Sequence, residues 1–261
     1  MSNMIIKKLI ILIGVTIHIS IFAQYEDVES KVYSWQGDIL KESANDQRRL
    51  MFAGSTIDLE YLKVFSIVIK SGKSFQKDNS NSGDEMLLIF KEGELEFNLN
   101  EKTMILGPGS AAVLFPDEEY QINNITESDA AFYLFKYKSK APVEIDRGLA
   151  AGGSFAIDWN DLEFHPHDRG GIRQYFERAT AMFHRFEMHV TTLKPGINSH
   201  DPHIHTSDEM VLMIDGNSTL QVGETFFDAT EGDLIFLGAD KPHALNNNSD
   251  RNCMYFAFHG E

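Results

Sequence analysis

An internal repeat constrains this chain more than any other feature of its sequence. DEMLLIFKEG, starting at Asp84, matches DEMVLMIDG, starting at Asp208, an offset of 124 residues. Past the turn, GSAAVLFPDEEYQINN from Gly109 matches GDLIFLGADKPHALNN from Gly232, an offset of 123, so the one-residue change falls in the hairpin KEG versus DG. Two such copies point to duplication of a unit of roughly 80 residues. Both copies consist of short runs rich in β-branched and aromatic residues, among them KVFSIVIKSG, ELEFNLN, FEMHVTTLKPG and DLIFLG, broken by Gly, Pro, Asn or Asp. Regularly spaced short strands with turn residues between them predict an all-β sandwich or barrel fold. The repeat divides the chain into a first β domain over 56–138 and a second over 181–261. Residues 24–55 read as an N-terminal arm with a short helix near 39–49, and 139–180 as a glycine-bearing linker.

The first residues, MSNMIIKKLIILIGVTIHISIFAQ, have a secretory layout: Lys7 and Lys8, an apolar run over 9–22, then the small Ala23. The run is shorter than the roughly 20 residues that span a bilayer, so 1–23 reads as a cleaved signal peptide. The expected protein is exported, periplasmic or extracellular, with no membrane attachment after cleavage. It has 23 basic and 39 acidic residues, a net charge of −16, which disfavours nucleic acid and anionic membranes as partners. Cys253 is the only cysteine, so no intrachain disulfide forms, and its place in CMYFAF predicts a buried thiol.

The residues that carry chemistry lie in KPGINSHDPHIHTSDEMVLMIDG, Lys194 to Gly216. His203 and His205 are two apart and Glu209 follows four later, so along an extended strand all three share one face. Imidazole nitrogen with carboxylate oxygen suits borderline or hard divalent metals. His243, at the end of an apolar strand, is available as a fourth ligand.

These elements resemble the two motifs of the cupin superfamily. Gly196, His203, His205, Glu209 and Gly216 follow the first, with one extra residue after Gly196; Gly232, His243 and Asn247 follow the second, where Gly238 and Asp240 replace a Pro and a Gly. The resemblance covers both repeats and implies two tandem jelly-roll barrels, a bicupin, with one divalent metal held by His203, His205, Glu209 and His243. Manganese or iron is the favoured ion by that resemblance, with zinc or nickel as alternatives. In the first repeat the ligand positions fall on Asn79, Asn81, Glu85 and Tyr120, which have no imidazole, so that barrel is expected to be degenerate. A silent first half is similar in layout to (S)-ureidoglycine aminohydrolase-like proteins, whose Glu-x-His, His, Gln ligand set differs from this one.

Around the ligands, His200 reads as an acid/base or rim residue, and Met213 and Asn247 as pocket residues. Arg185 and Glu187 share a strand face as a surface pair or as pocket groups. His165 and His167 read as linker surface, and His184 and His189 as solvated. No GxSxG elbow, phosphate loop or dinucleotide fingerprint is present. Three imidazoles and one carboxylate leave open positions on a six-coordinate ion. The expected function is therefore a metal-dependent enzyme acting on a small polar or anionic metabolite by isomerase, dioxygenase or aminohydrolase-like chemistry. The alternative is a non-catalytic small-ligand-binding or storage protein. Self-association as a monomer or homo-oligomer through the barrel faces is left open.

Overall fold

The computed structural model of the chain describes residues 25–75 and 83–261. The expected signal peptide, and Asn79 and Asn81, lie outside the described residues. The first half forms β1 (Lys31–Tyr33), β2 (Asp38–Glu42), β3 (Asp46–Gly54), β4 (Leu59–Ile69), β5 (Ser74–Phe75), β6 (Glu85–Glu92), β7 (Leu95–Leu99), β8 (Lys102–Leu106), β9 (Ala111–Leu114), β10 (Tyr120–Asn124) and β11 (Ala130–Ser139). A six-residue helix, α1 (Ile145–Ala150), leads to β12 (Phe155–Ile157) and β13 (His165–His167). The rest is β14 (Gly170–Arg178), β15 (Phe186–Leu193), β16 (Glu209–Asp215), β17 (Ser218–Val222), β18 (Thr225–Ala229), β19 (Leu234–Leu237), β20 (His243–Asn246) and β21 (Cys253–Gly260).

Each half pairs a seven-stranded sheet with a smaller one. The first barrel combines the order β12-β9-β6-β11-β4-β3-β2 with β5-β10-β7-β8, and the second combines β1-β19-β16-β21-β15-β14-β13 with β18-β17-β20. The outermost strands are exchanged. β1 precedes the first barrel yet adds to the second, Val32 opposite Ile235; β12 adds to the first, Ala156 opposite Ala112. The two halves are thus stitched together by backbone ladders as well as by packing.

Three apolar cores result, one inside each barrel and the largest between the two seven-stranded sheets. In the shared core Phe135 meets Phe258 edge-on, ring centroids 5.3 Å apart, and both are buried. Burying one such ring stabilises by about 1.5–3 kcal/mol. Splitting the barrels would expose the whole shared core.

The arm and linker are more ordered than their sequences suggest. Residues 39–49 form no helix; they make the β2–β3 hairpin, closed by Ser43 and Asp46. Pairing of β3 with β4 overrides the local helical preference of this polar stretch. Likewise β14, expected as linker, pairs with β15 inside the second sheet.

The structural register differs from the sequence repeat in one decisive place. Met86 lies opposite Leu114 and Lys136, whereas Glu209 lies opposite Leu237 and His259. The offset is therefore 123 from β6 onward, and Met86, not Glu85, occupies the Glu209 position. Gly93 and Gly216, also 123 apart, both close their hairpins at positive φ. A slip of one residue moves a side chain to the opposite sheet face. Glu85 accordingly leaves the barrel interior for the shared core, where it accepts hydrogen bonds from the Tyr137 hydroxyl and the Ala181 amide, both at 3.0 Å. Tyr120 does match His243, and its hydroxyl lies 3.8 Å from Met86 Sδ.

Candidate metal centre

The histidine segment does not run as a straight strand. It bends at Thr206 and Ser207 before β16 begins at Glu209. His203 instead forms an isolated antiparallel bridge with His243, exchanging backbone hydrogen bonds of 3.2 and 3.0 Å. That bridge, rather than strand parity, brings the two ligand-bearing segments together. Three turn residues aid it: Gly196 and Gly232 at positive φ, and Asp240 at φ 57° where the motif has glycine. Asp117, at the matching place in the first barrel, has φ 61°, so both copies keep an aspartate in this left-handed turn.

The nitrogens of His203, His205 and His243 lie within 4.8 Å of one another. Glu209 Oε2 is 3.1 Å from His243 Nε2 and 3.5 Å from His205 Nε2. His243 Nδ1 lies 2.8 Å from the Lys241 carbonyl, and as donor there it orients Nε2 toward the Glu209 carboxylate. The Nε2 atoms of His203 and His205 are 2.7 Å apart, too close for both to carry hydrogens. His203 Nδ1 is buried and has no hydrogen-bond partner. Ring nitrogens and a carboxylate oxygen converge here with one buried nitrogen left unsatisfied, an arrangement that a cation among them completes. The four side chains therefore fit a divalent metal by donor type, number and orphaned atoms.

The electrostatics follow from these contacts. Burial pushes the Glu209 carboxyl up, but the His243 hydrogen bond and the nearby imidazoles hold it below its ordinary value. Burial pulls His243 down, and its bonds to Glu209 and Lys241 more than offset this, so its pKa is raised. Burial lowers His200, His205 and His189, which favours neutral imidazole, the ligand form.

The cavity over these groups has a volume of about 300 Å³. Seven histidines line it: His167, His189, His200, His203, His205, His243 and His259. With ten in the whole chain, this concentration marks the site. His200 lies there as expected, its ring edge-on to His203 with centroids 3.8 Å apart. His189, expected to be solvated, instead faces the cavity because β15 belongs to the barrel wall, while His167 is exposed on β13, as expected of surface, at the cavity rim. His184 stays outside, beside Arg147.

Three expected pocket residues lie elsewhere. Met213 is buried deeper, in the apolar core of the second barrel, with its Sδ accepting from Ser218. Asn247 pins a loop: its Nδ2 donates to the Leu193 and Arg251 carbonyls, and its Oδ1 accepts from Ser249. Asn124 repeats the same network with Ile69, Ser128 and Thr126 in the first barrel. Arg185 is outside the cavity, pairing with Glu177, Glu187 and Glu261. Cys253 is fully buried, and burial pushes its thiol up to about 11.

Sequence reasoning missed His259. Its Nε2 lies 2.6 Å from Glu187 Oε1, its Nδ1 3.0 Å from Ser207 Oγ, and its ring stacks on His205. The one available signal was alternation along β21, which puts His259 on the inward face with Tyr255 and Ala257.

Comparison with known proteins agrees with this architecture. Residues 189–259 match the family model described as Cupin domain. The second half of the chain therefore carries a cupin domain, and the whole chain has the cupin fold. Among solved cupin-fold structures, a Pseudomonas aeruginosa protein named as glyoxylate-induced is similar over 93% of this chain and 92% of its own, with 16% identity and a TM-score of 0.70. The protein Ylba from E. coli is similar over 91% and 94%, with 16% identity and a TM-score of 0.69. The oxalate decarboxylase of Lactobacillus farciminis, solved as a formate complex, is similar over 90% and 87%, with 12% identity and a TM-score of 0.64. At these identities the likeness is one of fold. Among curated proteins no sequence matches.

Proposed function

We propose that this chain is an exported metal-dependent cupin enzyme acting on a small carboxylate or carbonyl-bearing metabolite. The observation that carries the reading is the convergence of His203, His205, His243 and Glu209 beneath an open cavity. These four side chains would hold one divalent ion, manganese or iron by preference. Such an ion, when bound, supplies Lewis-acid polarisation of a carbonyl or activation of water or dioxygen. Sites left partly open to solvent are more typical of catalysis than of structural metal binding.

The protein's own groups supply the rest. His259 donates from Nε2 to Glu187, leaving Nδ1 to accept from Ser207, so it is held beside the ligands without belonging to them. Arg185 grips the far side of Glu187 and so positions His259 from outside the cavity. His200 rests on His203 at the cavity wall and is the second proton-handling group. Leu220, Leu237 and Leu245 give the cavity an apolar side that excludes bulk water. Small acids suit a net-positive site of this size, and the names of two structural neighbours mention glyoxylate, and oxalate with formate. The start of the sequence, Lys7 and Lys8 before an apolar run, supports export.

The test is a turnover screen of manganese- or iron-loaded protein against oxalate, glyoxylate, formate and ureides, beside His259→Gln. The expected result is turnover of a small acid that falls by about 100-fold in the variant while its metal content stays unchanged. Full metal occupancy with no turnover of any compound would instead favour the storage or binding reading.

A further inference from the structure

The first barrel keeps a cavity at the place where the second holds its metal site, with the charge reversed. Its volume is about 220 Å³, and its polar lining is Arg48, Lys63, Lys136 and Tyr120 over a floor that includes Phe65 and Phe75. The pseudo-symmetry shows how it arose. Lys136 and Lys63 sit opposite each other on β11 and β4, in the positions where β21 and β15 oppose His259 and Glu187. Met86 replaces Glu209 and Tyr120 replaces His243, which removes the acid and the imidazole.

Like charges directly opposed across a ladder destabilise a sheet. Here two lysines face each other in a concave site of a chain with net charge −16. Asp46 bridges Arg48 at 2.8 Å, and Asp84 bridges Lys136 at 3.2 Å. Lys63 lies over the rings of Tyr25 and Tyr61, and among the described residues no carboxylate pairs with it. Among the described residues Lys63 therefore brings to the cavity a positive charge that no ion pair takes up. Arg48 is buried and lies over Phe75, centroid distance 4.5 Å, so one positive group is preorganised above the apolar floor.

We propose that this cavity is a second ligand site, distinct from the metal centre, for a small organic anion with a carboxylate head and an apolar body. The head would lie between Lys63 and Lys136, and the body against Phe65, Phe75 and Met86. The site needs no metal, and its occupancy is independent of the second barrel's ligands.

Calorimetric titration of benzoate, hexanoate and neutral benzamide into the full chain tests this, with His243→Ala protein in parallel. The expected result is saturable binding of one benzoate or hexanoate per chain, equal in wild type and His243→Ala. Lys63→Met should weaken it at least about tenfold, and benzamide should not bind. If Lys63→Met does not fold, Lys136→Met, altered on a different strand, carries the same expectation. Three results would each overturn the proposal: no saturable binding up to about 10 mM, binding abolished by His243→Ala but kept by Lys63→Met, or benzamide binding as well as benzoate.

Discussion

Glu209→Gln should cut divalent-metal affinity by at least about 100-fold, the upper end of what losing even an outer-shell partner costs a metal site. Glu209 is the only carboxylate among the four converging groups, and its oxygen lies 3.1 Å from His243 Nε2. Glutamine keeps the volume and the strand register but removes the negative charge that offsets the cation. It also offers a neutral amide oxygen, a weaker donor to manganese or iron. The variant should fold, since β16 buries its apolar residues either way. Competition against a chromophoric chelator reads the affinity directly. A loss smaller than about tenfold would remove Glu209 from the ligand set.

The counterpart carboxylate should behave in the opposite way. Glu85→Ala should destabilise the fold by about 3–5 kcal/mol while metal bound per chain stays as in wild type. Glu85 is fully buried and accepts from the Tyr137 hydroxyl and the Ala181 amide, one donor from each half of the chain. Truncation strands both donors in the shared core. Glu85→Gln keeps an acceptor and should cost much less. It also isolates a pH effect. Burial raises the Glu85 pKa above its ordinary 4.5, with Thr180, Tyr137 and Ala181 pulling the other way. The folded state thus binds this proton at higher pH than the unfolded chain does. The contribution to stability is complete below pH 4.5 and is lost as pH rises through the folded-state pKa. Urea unfolding across that window should show wild type gaining on Glu85→Gln as pH falls. A pH-independent difference, or loss of metal in Glu85→Ala, would contradict this assignment.

These two residues also show what the sequence made legible. The convergence of His203, His205, Glu209 and His243 could be read because they keep characteristic spacing, and they meet even though the backbone bends at residues 206 and 207 rather than running straight. The duplicated β architecture was equally plain from the repeat. What misled was DEM against DEM: three identical letters set an offset of 124, where hydrogen-bond register demands 123. Identity in a strand does not reveal which face a side chain takes, and one residue decides it. The exchanged strands β1 and β12 were hidden for a different reason. Three-residue edge strands have little pattern of their own, and their place is set by a partner sheet far along the chain. His259 was hidden because it lies far from the motifs and reaches the site only through its neighbour strands β15 and β16.

Metal bound per chain, measured by elemental analysis of purified wild-type and His243→Ala protein, tests the central claim most directly. One divalent ion is expected per wild-type chain and less than about a tenth of that in the variant, because His243 alone ties the second motif to the cluster of His203, His205 and Glu209. An ion retained at full occupancy in His243→Ala, or two ions per wild-type chain, would contradict it.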